Sequence, residues 1–320
     1  MKKLTILAIA FATTISTIAQ ITDLETQVRD KSSIVAPTPT DSTAKPKRWF
    51  FNGLTALNIS QASFVNWAAG GENSIGGNAL VNLNLSYKGD NSSWDTRLEL
   101  GYGILQQGKK GMIKTDDKID FSSKYGHKAS KHWYYAAMIN FKTQFDQGFE
   151  TEDDAQKRQN YISNFLAPAY LVGAIGMDYK PFDCLSLFIS PVTGKFTFVE
   201  DKHLRSRYSL KEDQLCKSDL GGYIRVLYNQ SFFKDNMLTI TSKLDLFCNY
   251  LAEHPENIDV TWENVFAIKI TKYISATLST ELIYDDDIKT IEKLEDGTEI
   301  TRGAKIQFKE VLGIGLAYKF

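Results

Sequence analysis

The sequence predicts an all-β protein: an antiparallel transmembrane β-barrel of about twelve strands behind an N-terminal signal peptide. Three observations predict it. A basic, then apolar, then small-residue leader opens the chain; long runs of alternating apolar and polar residues fill it from Arg48 onward; and the links between those runs alternate between short and long.

Lys2 and Lys3 precede an apolar run from Leu4 to Ala12 and a small-residue stretch from Thr13 to Ala19. That run falls short of the ~20 mainly apolar residues of a spanning helix. Residues 1–19 therefore read as a signal peptide, cleaved after Ala19 or Gln20. No cysteine near that junction offers a site for a lipid anchor. Residues 20–47 are rich in Asp, Thr and Ser, carry Pro37, Pro39 and Pro46, and lack apolar periodicity. They read as a disordered tail on the periplasmic side.

Residues 48–320 read as the barrel. Val81, Leu83, Leu85 and Tyr87 fall on one face of a strand and Asn82, Asn84, Ser86 and Lys88 on the other; Leu98 and Leu244 sit in runs just as regular. Each run lasts ~10 residues, the length of a tilted membrane strand and longer than the ~5 to 6 of soluble sheets. Strands are expected near 48–60, 79–88, 93–105, 117–126, 132–145, 169–180, 184–190, 221–232, 237–250, 257–270, 273–285 and 305–320. Short links fall at 89–92, 127–131, 181–183, 233–236 and 271–272, and long ones at 61–78, 106–116, 146–168, 191–220, 251–256 and 286–304. Short periplasmic turns alternating with long external loops are the barrel pattern.

Interfacial aromatics mark both rims in this register. Tyr87, Trp94, Tyr125, Trp133, Tyr179, Tyr273 and Tyr318 belong to the periplasmic rim; Tyr102, Phe145, Tyr250, Tyr284 and Phe308 belong to the outer one. The chain ends on Leu312, Ile314, Leu316, Tyr318 and Phe320 in alternation. This resembles the C-terminal strand signature of outer-membrane proteins, which makes Tyr318 and Phe320 an insertion signal for the barrel-insertion machinery. In the external 146–168 loop, Glu152, Asp153 and Asp154 before Lys157 and Arg158 predict a short helix with Tyr161 and Phe165 on one face.

Composition narrows the function classes. A net charge of -1 gives no reason to expect nucleic acid as a partner. Cys184, Cys216 and Cys248 lack framework or zinc spacing and read as isolated thiols, a Cys216–Cys248 bridge being the alternative. His127 and His132 flank one turn, and His203 and His254 lie in separate loops, so no catalytic or metal constellation forms and no cofactor is implied. Gly70-Gly-Glu-Asn-Ser-Ile-Gly-Gly77 lacks the Lys and Ser/Thr ending of a phosphate loop. Asp285, Asp286 and Asp287 read as a solvated loop or a divalent-cation site.

Inward positions carry charges of nearly balanced sign: Lys88, Arg97, Lys118, Lys124, Lys142, Arg225, Lys243, Lys269 and Lys309 against Asp95, Glu99, Asp120, Asp245, Asp259, Glu263, Glu281 and Asp285. Such charges fill a lumen with ion pairs or line a narrow polar pore. The 61–78 link is unusually apolar, and its glycines allow bends. It is expected to fold into the barrel mouth, with Phe64 and Trp67 narrowing it and Asn66, Glu72 and Asn73 pairing with Arg97 and Lys142. The competing reading keeps Phe64 and Trp67 on a strand at the lipid interface.

The stretch Ser60-Gln-Ala-Ser-Phe-Val-Asn-Trp-Ala-Ala-Gly-Gly-Glu-Asn-Ser74, together with Ser190-Pro-Val-Thr-Gly-Lys195, resembles an uncharacterised family of Bacteroidota outer-membrane proteins catalogued as a domain of unknown function. The resemblance runs from about Trp49 to Phe320. It implies a Gram-negative outer-membrane location and a barrel, and it carries over no functional residues. Two function classes follow: a narrow channel for small polar solutes, or a closed structural or surface-interaction barrel without transport. An outer-membrane lipid hydrolase is a third; no enzyme activity is expected. The oligomeric state is not legible.

Overall fold

The computed structural model describes residues 48–63, 72–108, 112–149, 152–208, 210–285, 289–293 and 299–319. The expected leader and tail, together with Phe64, Asn66, Trp67, Asp286, Asp287 and Phe320, lie outside the described residues. Among the described residues twelve strands close into an antiparallel barrel, each pairing with the next and the last with the first. They are β1 Trp49–Ala62, β2 Ser74–Lys88, β3 Ser92–Gln107, β4 Ile113–Lys128, β5 Trp133–Thr143, β6 Ala169–Phe182, β7 Leu185–Phe198, β8 Cys216–Phe232, β9 Leu238–Asn249, β10 Asp259–Lys269, β11 Ile274–Tyr284 and β12 Gln307–Lys319. No helix among the described residues is long and apolar enough to cross a membrane.

Alternation decides what faces out. Ile59, Ile139, Ile175, Val192, Leu312, Ile314 and Leu316 are each more than half exposed on the outer surface, while Asp120, Lys243 and Arg225 on intervening positions are buried inside. That inversion of the soluble pattern is the mark of a wall with an apolar exterior and a polar interior. At the short-turn end Trp49 meets Tyr87 at 4.9 Å and Trp133 meets Tyr179 at 4.8 Å. At the long-loop end Tyr102 and Phe145 meet edge to face at 6.2 Å.

Three expected boundaries are corrected. The 61–78 link shortens to residues 63–73, because Gly76 and Gly77 pair with Ser60 and Ile59 in the ladder instead of forming bends. The seventh strand does not stop at Ser190, and the following loop is not 191–220: β7 continues to Phe198 and β8 starts at Cys216. Pro191 misled the reading, since proline cannot donate to a ladder. It is tolerated at a bulge, where the register against β6 shifts between Ile175 and Met177. There Ser190 Oγ lies 2.8 Å from both the Ile175 and Val192 carbonyls and accepts from Thr193 Oγ1 at 2.8 Å. Gly176 permits this approach, for a Cβ there would stand 2.0 Å from the Ile189 carbonyl oxygen.

The third correction is the external helix, α1, which spans only Glu152–Lys157. Arg158 and Asn160 at φ 48° and 54° end it, so Tyr161 enters a short strand and Phe165 a turn. At the barrel seam, among the described residues, β1 and β12 pair from Leu54–Lys319 to Asn58–Gly315. Asn58 lies across Gly313 and Gly315 there, in space that a Cβ would occupy. None of the three thiols forms a disulfide; Cys216 and Cys248 donate to the Lys217 and Pro255 carbonyls at 3.5 and 3.1 Å.

Candidate functional site

The lumen holds the chemistry, and strands from opposite walls supply it. At mid-height Lys243 Nζ on β9 reaches Asp120 on β4 at 2.6 Å, Glu263 on β10 at 3.0 Å and Glu99 on β3 at 3.4 Å. Lys118 bridges the same space, 2.9 Å from Glu99 and in contact with Glu263. Lys142 on β5 stands 3.3 Å from Glu263, 3.6 Å from Asp245 and 3.8 Å from Asp120. Arg225 on β8 grips Asp245 with Nε at 2.6 Å and Nη2 at 2.8 Å, a bidentate pair. Arg225 also donates to Asn140 Oδ1 at 3.2 Å, and Asn140 Nδ2 donates to Asp120 at 2.6 Å. Arg97 touches Glu99 at 3.4 Å.

Five cations thus meet four carboxylates in one cross-lumen cluster. Its members are buried or nearly so, where an unpaired charge is costly and a shared one is held in place. The predicted Arg97, Glu99, Lys142, Arg225, Lys243 and Asp245 are all brought together here. Glu281 is not; it pairs with Lys309 at 2.6 Å, and Lys309 also reaches Asp116 at 3.0 Å. Glu99, Asp120 and Glu263 bring ligand oxygens within 4.8 Å of one another, the spacing of a cation site. Lys118, Lys142 and Lys243 already stand among them as counter-charges.

Two further layers flank the cluster. Toward the short turns Lys124 meets Asp178 at 2.7 Å and Lys180 meets Asp95 at 2.6 Å. An inward apolar group, Met138, Ala174, Phe188, Tyr223 and Phe247, fills the β5–β9 side. Toward the long loops Lys195 meets Asp259 at 2.7 Å and Asp285 at 3.3 Å. Asp178 and Lys195 were missed in the sequence. The first lies in a glycine-diluted strand, and the second lies beyond Pro191, where the bulge moves inward positions from even to odd numbers.

Between the cluster and the short-turn end lies a cavity of about 1290 Å³, lined among others by Asn82, Asn84, Arg97, Lys124, Lys180, Thr241 and Lys243. At the other end Ala167, Val199, Leu204 and Leu210 form a small core between two long loops, packed by Tyr161 and Tyr208. Tyr208 donates to the Ile162 carbonyl at 3.1 Å, and burial pushes its phenol up to about 12. Arg205 ties the same loops by donating to the Val199 and Glu200 carbonyls at 3.1 and 3.2 Å. This loop core had no periodic signal and was not anticipated.

Of the expected constriction residues, Glu72 and Asn73 are described and both are exposed at the long-loop rim. The Asn73 carbonyl accepts from Gly108 N–H at 2.6 Å. Arg97 and Lys142, their expected partners, have the strand carboxylates already named. Tyr318 stands on the outer face of β12, 60% exposed.

None of the curated proteins matches the chain. Among solved structures, similarity is found to an outer membrane channel from Pseudomonas putida F1, at 9% identity over 89% of this chain and 100% of that one, with a TM-score of 0.36. The translocator domain of the autotransporter NalP from Neisseria meningitidis aligns at 9% identity over 95% and 98%, TM-score 0.34. The P. putida toluene transporter TodX aligns at 11% over 87% and 80%, TM-score 0.31. Residues 59–149 match the family described as "Protein of unknown function (DUF3078)".

Proposed function

We propose that the chain is an outer-membrane barrel whose lumen is closed at mid-height, with a vestibule open at the periplasmic, short-turn end. The apolar exterior between two aromatic bands supports the membrane location, because burying those side chains in lipid removes the exposure they have in water. The cross-lumen cluster carries the closure. Lys118, Lys142 and Lys243 tie β4, β5 and β9 to carboxylates on β3, β4, β9 and β10, so the wall strands are joined through the middle of the lumen. A twelve-stranded barrel lies between small filled barrels and wide porins, and this one is filled by charge. Of the two function classes, the closed barrel without free transport is the one this geometry favours. Tyr318 and Phe320 remain its proposed insertion signal, and the tail its periplasmic extension.

The test is planar-bilayer conductance of the refolded mature protein. A silent membrane is expected at neutral pH and moderate salt. Regular unitary steps from heat-modifiable, correctly folded protein would contradict closure and restore the channel for small polar solutes.

A further inference from the structure

The vestibule differs in charge from the rest of the lumen: ten Lys and Arg side chains line it against four Asp. The inner ones are mostly neutralised from behind, Lys124 by Asp178, Arg225 by Asp245 and Lys243 by Asp120. Arg97 is the exception. It is 9% exposed and, among the described residues, makes one hydrogen bond, from Nη1 to Glu99 Oε1 at 3.4 Å. Glu99 is shared with Lys118 and Lys243 at 2.9 and 3.4 Å, so its charge is already committed. Arg97 is therefore the surplus cation of the cluster, and it lines the cavity. A guanidinium has five N–H donors in a fork that fits a carboxylate or phosphate, and one long bond to a shared carboxylate leaves most of that fork for another anion.

A second side chain on the same wall has one unmet polar atom among the described residues. Asn82 on β2 lines the cavity and is 7% exposed, and its enclosed Oδ1 has no hydrogen-bond partner among the described residues. Its strand neighbour Asn84 stands directly across from Arg97 in the β2–β3 register. The remaining Arg97 donors thus sit at the inner end of a cavity large enough for a small solute, on a wall whose polar side chains do not satisfy one another.

We propose that the vestibule binds a small anionic solute whose carboxylate or phosphate group is held by Arg97. Lys128, Lys131, Lys269 and Lys272 on the cavity lining extend the positive field to the mouth and draw anions in. The inference depends on the closed, periplasm-open reading only for the compartment that supplies the solute. Conductance tests closure and titration tests the site, so each can fail alone.

The experiment is isothermal titration of the full mature protein in zwitterionic micelles, with tripolyphosphate and a linear tricarboxylate as separate probes and a neutral trisaccharide as control. Saturable one-to-one binding of at least one anion is expected, and which probe binds identifies the anionic group. Arg97→Gln should weaken it by about tenfold or more, equivalent to ~1.4 kcal/mol, whereas Lys272→Gln should change it by less than about threefold because a rim charge acts by screened attraction. Asn84→Asp keeps Arg97 and supplies a carboxylate across the strand pair, within the ~5 Å at which opposite charges interact. It should abolish anion binding while raising the unfolding midpoint. No saturable heat, or equal losses for Arg97→Gln and Lys272→Gln, or unchanged binding in Asn84→Asp, would each overturn the proposal.

Discussion

Replacing Lys243 by Met is expected to cost the folded barrel about 3–5 kcal/mol, the scale of removing one partner from a buried ion pair. Lys243 is 4% exposed and is shared by Asp120, Glu263 and Glu99. Without it those three carboxylates keep Lys118 and Lys142 between them, with Arg97 at 3.4 Å on Glu99 alone. Mutual repulsion and lost solvation then act together. The double variant Lys243→Met/Asp120→Asn should recover part of the loss, because it removes one of the stranded charges. Urea unfolding in micelles measures both. A loss below about 1 kcal/mol for the single variant would mean that the cluster is bathed in water, as exposed pairs are worth only that much.

Leu98→Lys and Leu244→Lys are expected to destabilise by about 2–4 kcal/mol each in lipid, the cost of a lysine near the bilayer midplane. Leu98 pairs with Leu83 and Phe121, and Leu244 with Val226 and Trp262, all on the outer face. Thr241 is the control, one strand position of opposite parity and on the cavity lining, where a lysine keeps its water. Thr241→Lys should change stability by less than about 1 kcal/mol. Comparable losses at Leu244 and Thr241, read from folding titrations into lipid vesicles, would reverse the assignment of the two faces.

Most of the architecture was legible because a barrel strand writes its environment with period two, and a charged interior makes that alternation strong. Val81 to Lys88 and Trp94 to Ile104 are clear for this reason. Legibility failed where one residue broke the period. Pro191 hid eight residues of β7, and with them Lys195. The glycines at 76 and 77 looked like bend residues and are ladder residues. The membership of the cluster was legible: parity placed Arg97, Glu99, Lys118, Asp120, Lys142, Arg225, Lys243, Asp245 and Glu263 inside. It could not say that Glu281 pairs elsewhere or that Arg97 is left over, since both depend on how strands far apart in sequence stand across the lumen. The loop core around Leu204 and Arg205 depends on contacts between two irregular segments and left no periodic trace.

The most direct test of a barrel closed between its vestibule and the outside is sided labelling of Thr241→Cys, with the three native cysteines replaced by serine. A bulky, membrane-impermeant sulfonated maleimide is applied to intact cells and then to cells with a permeabilised outer membrane. Thr241 lies on the vestibule lining, and the cross-lumen cluster stands between it and the long-loop end. The account predicts no labelling in intact cells and full labelling once the periplasmic side is accessible. Equal labelling in both would contradict it, because the reagent would then have reached the vestibule through the lumen.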